Sequence, residues 1–205
     1  MAEFIGIAIP EELQKLALPS PEELNYWTLR QQRTFFIDFE IDNSYALMET
    51  AKEIIRINNE EKDIEAPDPI KIFIHSYGGD ISQALFFCDL IESSHVPVIT
   101  VATGAAMSAG LLIFLAGKTR YAFKHSKVLI HKGSGDLAGS FDEIDAAHKA
   151  YKNEITSIRD YILSHTKIFE ATFEKNKSKD WYISGEKLIK FGIADKIVNS
   201  ITEIN

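Results

Sequence analysis

The sequence predicts an α/β fold organised around a mainly parallel sheet. Three observations carry that expectation. Two strand–helix units follow one another: Ile70 to Ile74 then a helix from Asp80 to Ser93, and Val98 to Ala102 then a helix running to about Ala116. Gly78-Gly79 and Gly104 punctuate the two strand-to-helix passages, and alternation of this kind favours parallel strands joined by right-handed crossovers. Ser140 and Glu143 form a capping box that opens a long helix to about Ser164, over which Ile144, Ala147, Tyr151, Ile155, Ile158 and Ile162 recur at helical spacing.

The remaining elements follow from local chemistry. Residues 1–30 are acidic and broken by Pro10, Pro19 and Pro21, which reads as an N-terminal arm ahead of a single domain over 31–205. Within the arm, Ser20-Pro21-Glu22-Glu23 has the form of a capping box with proline at the first helical position, so a short helix starts there. Thr34 to Ile41 reads as a strand, and Ser44 as the cap of a helix with Leu47, Met48, Ala51, Ile54 and Ile55 on one face. Asn58 to Pro69 is polar and holds two prolines, hence a surface loop. Tyr121–Phe123 and Val128–Ile130 are short strands, and Ser184 to Phe191 is a short helix closed by Gly192. At roughly six turns the helix from residue 140 is long for a single domain, so part of it is expected to project and pair with another subunit.

Composition bounds the function. The chain has 205 residues, room for one domain and a core of its own. Thirty acidic residues against 22 basic ones give a formal charge of −8, which argues against a general nucleic-acid binder and against a protein of anionic membrane surfaces. Cys88 stands alone, so an internal disulfide and a cysteine-based zinc cage are both excluded, and a reducing, cytoplasmic setting is the expectation. From Ser93 to Gly117 no residue carries a formal charge, long enough for a membrane span. The β-branched run Val98–Val101 and the break at Gly104 instead favour a buried strand, a turn and a buried helix from Ala105 to Ala116. Glu3 and the lack of a basic leader argue against a signal peptide.

Three residue types could carry chemistry. Ser108 falls after a strand and near the start of a buried helix, where unpaired backbone amides attract negative charge. Such a serine can act as a nucleophile whose oxyanion is held by those amides, or it can simply pack as a small residue beside Ala105, Ala106, Ala109 and Gly110. Ala106 stands where a nucleophile elbow needs glycine, which disfavours an α/β-hydrolase. His131 ends the strand Val-Leu-Ile-His and faces a glycine-rich loop, a position that suits a general base. Asp180 could fix a histidine tautomer or be a solvated charge beside Lys175, Lys177 and Lys179. No H-E-x-x-H spacing occurs, and no metal site is expected. The glycines match neither a dinucleotide fingerprint nor a P-loop. The acid-free basic stretch Lys118, Arg120, Lys124, Lys127 and Lys132 reads first as a solvated hairpin, with an acidic neighbouring subunit or acidic substrates as alternatives.

Taken together, from about Phe35 to Val198, the chain resembles the Clp peptidase family, the proteolytic subunit of the ATP-dependent Clp protease. The residues that carry the resemblance are His75-Ser76-Tyr77-Gly78-Gly79, the segment Gly104 to Gly110 around Ser108, Leu129-Ile130-His131, Asp180 to Ser184, and Lys190 to Asp195. Pairing the methionines of the second motif would put Ala106 at the nucleophile position. Pairing Gly104, Ser108, Gly110 and Ala116-Gly117 keeps both glycines and the serine, and puts Ser108 there.

The resemblance implies a ClpP/crotonase-like spiral of β-α-β units with a long handle helix at about 140–164. It implies a serine endopeptidase acting on unfolded proteins or peptides, with Ser108 as nucleophile, His131 as base and Asp180 as orienter. The amides of Gly78 and Ala109 would form the oxyanion hole, and Tyr77, Gly79, Gly133, Ser134 and Gly135 would edge the substrate. It further implies a homo-oligomeric ring, heptameric or stacked as a double ring. No cofactor is implied for this chain, because ATP would be used by a separate AAA+ unfoldase. Tyr77 and Trp181 depart from the family, which has proline and arginine there, the arginine helping to bridge two rings. The first 30 residues do not match the family's axial-loop segment. Two other readings stay open: a crotonase-like acyl-CoA enzyme, and a non-catalytic ring subunit that assembles with an active paralogue.

Overall fold

The computed structural model describes residues 19–42, 45–133 and 138–204. The chain divides into two compact units, 1–33 and 34–205. The first holds helix α1 (Pro21–Gln31), which starts as its sequence dictates: the Ser20 hydroxyl accepts from the Glu23 amide while the Glu23 carboxylate accepts from the Ser20 amide, with proline at the first turn.

The second unit runs β1 (Thr34–Ile37), α2 (Tyr45–Glu60), β2 (Ile70–Ser76), α3 (Ile81–Glu92), β3 (Val98–Met107), α4 (Ala109–Ala116), β4 (Thr119–Phe123), β5 (Lys127–Ile130), α5 (Phe141–His165), α6 (Glu170–Asn176), β6 (Trp181–Ser184), α7 (Glu186–Lys190) and β7 (Lys196–Val198), with a 3₁₀ turn at Ile201–Glu203. Among the described residues the seven strands form one sheet, in the order β1-β2-β3-β4-β7 along its main path. Every pair in that path is parallel, which bears out the α/β expectation. Strand β5 also pairs in parallel with β3, and the one antiparallel pair is β5 with β6.

Strand β3 departs from the sequence reading and explains the shape of the sheet. The sequence puts Ala105 to Met107 in the helix, but the structure keeps them extended and starts α4 at Ala109. Ile99–Ala102 pair with Thr119–Ala122 of β4, whereas Ala105–Met107 pair with Lys127–Leu129 of β5. Backbone hydrogen bonding to β5 overrides the helical preference of the alanines. The sheet therefore forks at residues 103–104. Side chains cover the interrupted ladder: the buried Ser126 hydroxyl donates to Ala102 O at 2.6 Å and accepts from the Gly104 amide at 3.2 Å, and the Thr103 hydroxyl donates to Ile74 O at 3.0 Å. Since β4 and β5 both pair with β3 and not with each other, the basic stretch from Lys118 to Lys132 is not a hairpin.

Helices α2, α3 and α4 share one core cluster with Ile37, Ile72 and Ile74 of the sheet. All eight residues of α4 are buried. The uncharged stretch from Ser93 is thus a loop, a core strand and a core helix, and among the described residues no helix is long and apolar enough to cross a membrane. The buried face of α2 is Leu47, Thr50, Ala51, Ile54 and Ile57; Met48 and Ile55 point outward, one position off the expected stripe. Its expected cap, Ser44, lies outside the described residues. Strand β1 ends at Ile37, and Ile41 makes only an isolated bridge to Gly79. Elements α6, β6 and β7 have no counterpart among those the sequence predicts, and Ser184 belongs to β6 rather than to a helix.

The long helix α5 begins with the Ser140–Glu143 capping box, as the sequence predicts. Its burial is graded: Ile162 near its C-terminus is buried, while Phe141 at its start is 85% exposed. The base is tied to α3. The Tyr161 hydroxyl donates to Glu92 Oε1, the His165 ring stacks on Tyr161 at 4.0 Å, and His165 Nε2 lies 3.2 Å from the same carboxylate oxygen. Cys88 belongs to this junction, and burial, with help from the Glu92 and Asp89 carboxylates, pushes its thiol up to about 12.

Two outcomes are expected. Phe114→Ala empties a fully buried site in α4 and should lower stability by about 3–5 kcal/mol in urea unfolding; a loss below about 1 kcal/mol would contradict the packing described. The Cys88 thiol, raised in the folded state, contributes stability that is present below the thiol's unfolded value and is lost as pH rises towards about 12. At pH 8 native protein should therefore react with iodoacetamide far more slowly than urea-unfolded protein, and equal rates would overturn this account.

Candidate active site

The site is built from three strand ends. Parallel pairing brings Met107, the last residue of β3, opposite Leu129 of β5, and the Ser108 amide extends that ladder by donating to Leu129 O at 3.0 Å. On its other side β5 runs antiparallel to β6, with Ile130 opposite Trp181. One step further along the same register sets His131 opposite Asp180. Sequence neighbours could not reveal this, because β6 was not legible as a strand, although its buried Ile183 between exposed Tyr182 and Ser184 keeps the two-residue alternation.

Ser108 caps α4 with φ +53° and ψ −123°, a conformation rare for a side chain other than glycine. Its hydroxyl makes no capping bond to the helix and is instead 2.7 Å from Nε2 of His131. The strained backbone turns the hydroxyl out of the helix start and towards the imidazole. His131 is partly exposed; its Nδ1 lies 4.0 Å from Asp180 Oδ1, and the Asp180 side chain is 61% exposed. The serine and histidine are therefore in hydrogen-bond contact, while the aspartate is adjacent but beyond hydrogen-bond distance.

The two glycines pack against this centre. Gly78 has φ +111°, and a Cβ placed on it would lie 2.7 Å from the Ser108 Cβ and 2.9 Å from Met107 O. Its amide donates to Ser76 Oγ at 3.2 Å, and the buried Ser76 hydroxyl donates in turn to Phe39 O at 2.7 Å. Ser76, which no sequence signal marks for this role, holds the turn. Gly79 approaches so closely to Ile41 that an added Cβ would lie 2.0 Å from the Ile41 carbonyl oxygen. Ala109 is fully buried, its amide at the first turn of α4.

A cleft of about 570 Å³ opens beside Ser108 and His131. Tyr77, Gly79 and Gly133 line it as well; Tyr77 is exposed and meets the His75 ring edge-on. Ser134 and Gly135, also expected at the substrate edge, lie outside the described residues. The handle reaches the cleft through Tyr151, whose hydroxyl donates to Lys132 O at 2.9 Å and so tethers the segment after His131. Trp181, beside Asp180, turns its ring edge-on against Phe191 of the core.

The Clp protease family profile matches residues 22–201. The chain belongs to the Clp protease family. Among curated relatives, the ATP-dependent Clp protease proteolytic subunit of Deinococcus radiodurans is 24% identical over 184 residues, spanning 87% of this chain and 86% of that protein. Among solved structures, a single-site mutant of ClpP1 from Listeria monocytogenes is similar with a TM-score of 0.76 at 24% identity, over 88% of this chain and 99% of that one. The architecture described above is thus the ClpP fold, as the sequence resemblance implied.

Gly78→Ala should be destabilising by about 1–3 kcal/mol in urea unfolding, since both the backbone conformation and the overlap with Ser108 and Met107 oppose a side chain. A neutral substitution there would show that the turn is looser than described.

Proposed function

We propose that this chain is a serine endopeptidase of the Clp type. The observation that carries the reading is the 2.7 Å contact between Ser108 Oγ and His131 Nε2 at the start of a fully buried helix. In this reading His131 takes the Ser108 proton as the hydroxyl attacks a peptide carbonyl, then returns it to the leaving amine. The amides of Ala109 and Gly78 stabilise the oxyanion, and the Gly78 amide exchanges its long bond to Ser76 for the stronger charged acceptor. Asp180 closes on Nδ1 of His131 and fixes its tautomer when the site is assembled. The exposed outer half of α5 supports a handle through which rings of subunits stack, with the cleft facing an interior chamber. Unfolded chains are the substrate class, delivered by a separate ATP-driven unfoldase, in the cytoplasm.

Two observations favour a second reading. The open His131–Asp180 distance, together with a Trp181 ring packed inward where a ring-bridging arginine was expected, fits a non-catalytic ring subunit that assembles with an active paralogue.

The test is active-site labelling. A fluorophosphonate probe should modify the purified, assembled wild type at Ser108 and leave Ser108→Ala unmodified. Hydrolysis of a fluorogenic peptide should fall at least about 1,000-fold in the same variant. Assembled protein that neither labels nor cleaves would overturn the peptidase reading; cleavage by the homo-oligomer alone would overturn the second.

A further inference from the structure

The cleft beside Ser108 combines apolar walls with a partly exposed glutamate. Leu111 and Leu112, which follow Ser108 in α4, line it together with Ile155 and Ile158 of α5. Glu154 belongs to the same lining and is only partly exposed. Among the described residues it has neither a hydrogen-bond nor an ion-pair partner. Its neighbours on the handle are differently placed: Lys149 pairs with Asp145, and Arg159 with Asp160, Glu170 and Glu174. The lone lysine of the described lining, Lys132, is exposed, as are the carboxylates Glu40 and Asp80, so solvent screens all three and Glu154 is the partly buried charge of the lining.

A carboxylate beside apolar walls and without a partner leaves an acceptor open to an incoming cation. A cation brought into the cleft can take it up through a charge-assisted hydrogen bond. The apolar walls accept a methylene stem, as lysine and arginine side chains provide. A purely aliphatic side chain would fill the same walls but would cover Glu154 without pairing it.

We infer that Glu154 is a specificity-determining residue, and that the cleft selects lysine or arginine as the residue whose carbonyl Ser108 attacks. The inference rests on the peptidase reading above and names its substrate class. Glu154 acts on binding of the side chain and takes no part in bond making.

The experiment uses assembled full-length protein and a matched pair of fluorogenic peptides that differ only in arginine or norleucine before the scissile bond, with fluorophosphonate labelling run alongside. The wild type should favour the arginine peptide in kcat/KM by about tenfold or more, and that preference should shrink as salt rises. Glu154→Gln, which keeps shape and removes charge, should erase the preference, and Glu154→Leu should reverse it. Labelled, active protein with no arginine preference, or with a preference that survives both substitutions, overturns this inference and leaves the peptidase reading standing. Protein that neither labels nor cleaves overturns both.

Discussion

One strand of the sheet must satisfy two neighbours along a single edge. The first half of β3 bonds to β4 and the second half to β5, so the backbone changes partner within ten residues. The change leaves ladder groups near Gly104 that would otherwise be unpaired in the interior, and Ser126 and Thr103 take them up with their hydroxyls. This fork carries the end of β3 away from the main sheet and sets Ser108 beside β5 rather than β4. His131 directly follows β5, so this pairing is what brings the serine to the histidine.

The site inherits its precision from hydrogen-bond registers rather than from loops. Ser108 is held by its own amide on Leu129, His131 lies two residues beyond that carbonyl, and Asp180 is carried by the antiparallel register of β6. Loop contributions are tethered to elements: the Gly78 turn by Ser76, the segment after His131 by Tyr151 of the handle. The least constrained member is Asp180, which precedes the first residue of β6 and remains largely in water. The handle contributes twice, since its base is locked to α3 through Tyr161 and Glu92 while its inner face supplies Tyr151, Glu154 and Ile155 to the cleft.

Legibility in the sequence tracked the range of the interactions. Capping boxes at Ser20 and Ser140 act over three residues, and both were read correctly. The helix stripe of α5 was clear because a long period repeats many times, whereas the stripe of α2 was displaced onto Met48 and Ile55, which are exposed. Ala105 to Met107 misled, since alanine favours helix until a strand partner is available. Strands β6 and β7 are three or four residues long, too short for periodicity to stand out, and Asp180 therefore stood beside His131 only through the family resemblance.

By itself the sequence determined the α/β class, the order of its main strand–helix units, the burial of the uncharged stretch and, through motif order, the identity of Ser108, His131 and Asp180 as candidates. The first three depend on composition and on spacings within one turn or one strand, which the chain carries locally; the three site residues come together through the family resemblance. Only the tertiary structure decided that β3 forks, that Ser76 and Tyr151 hold the site, that the aspartate stands 4.0 Å from the histidine, and that Glu154 lines the cleft without a partner among the described residues. Each of those is a relation between segments tens of residues apart, fixed by strand register and helix packing, and no local pattern encodes a distance of that kind.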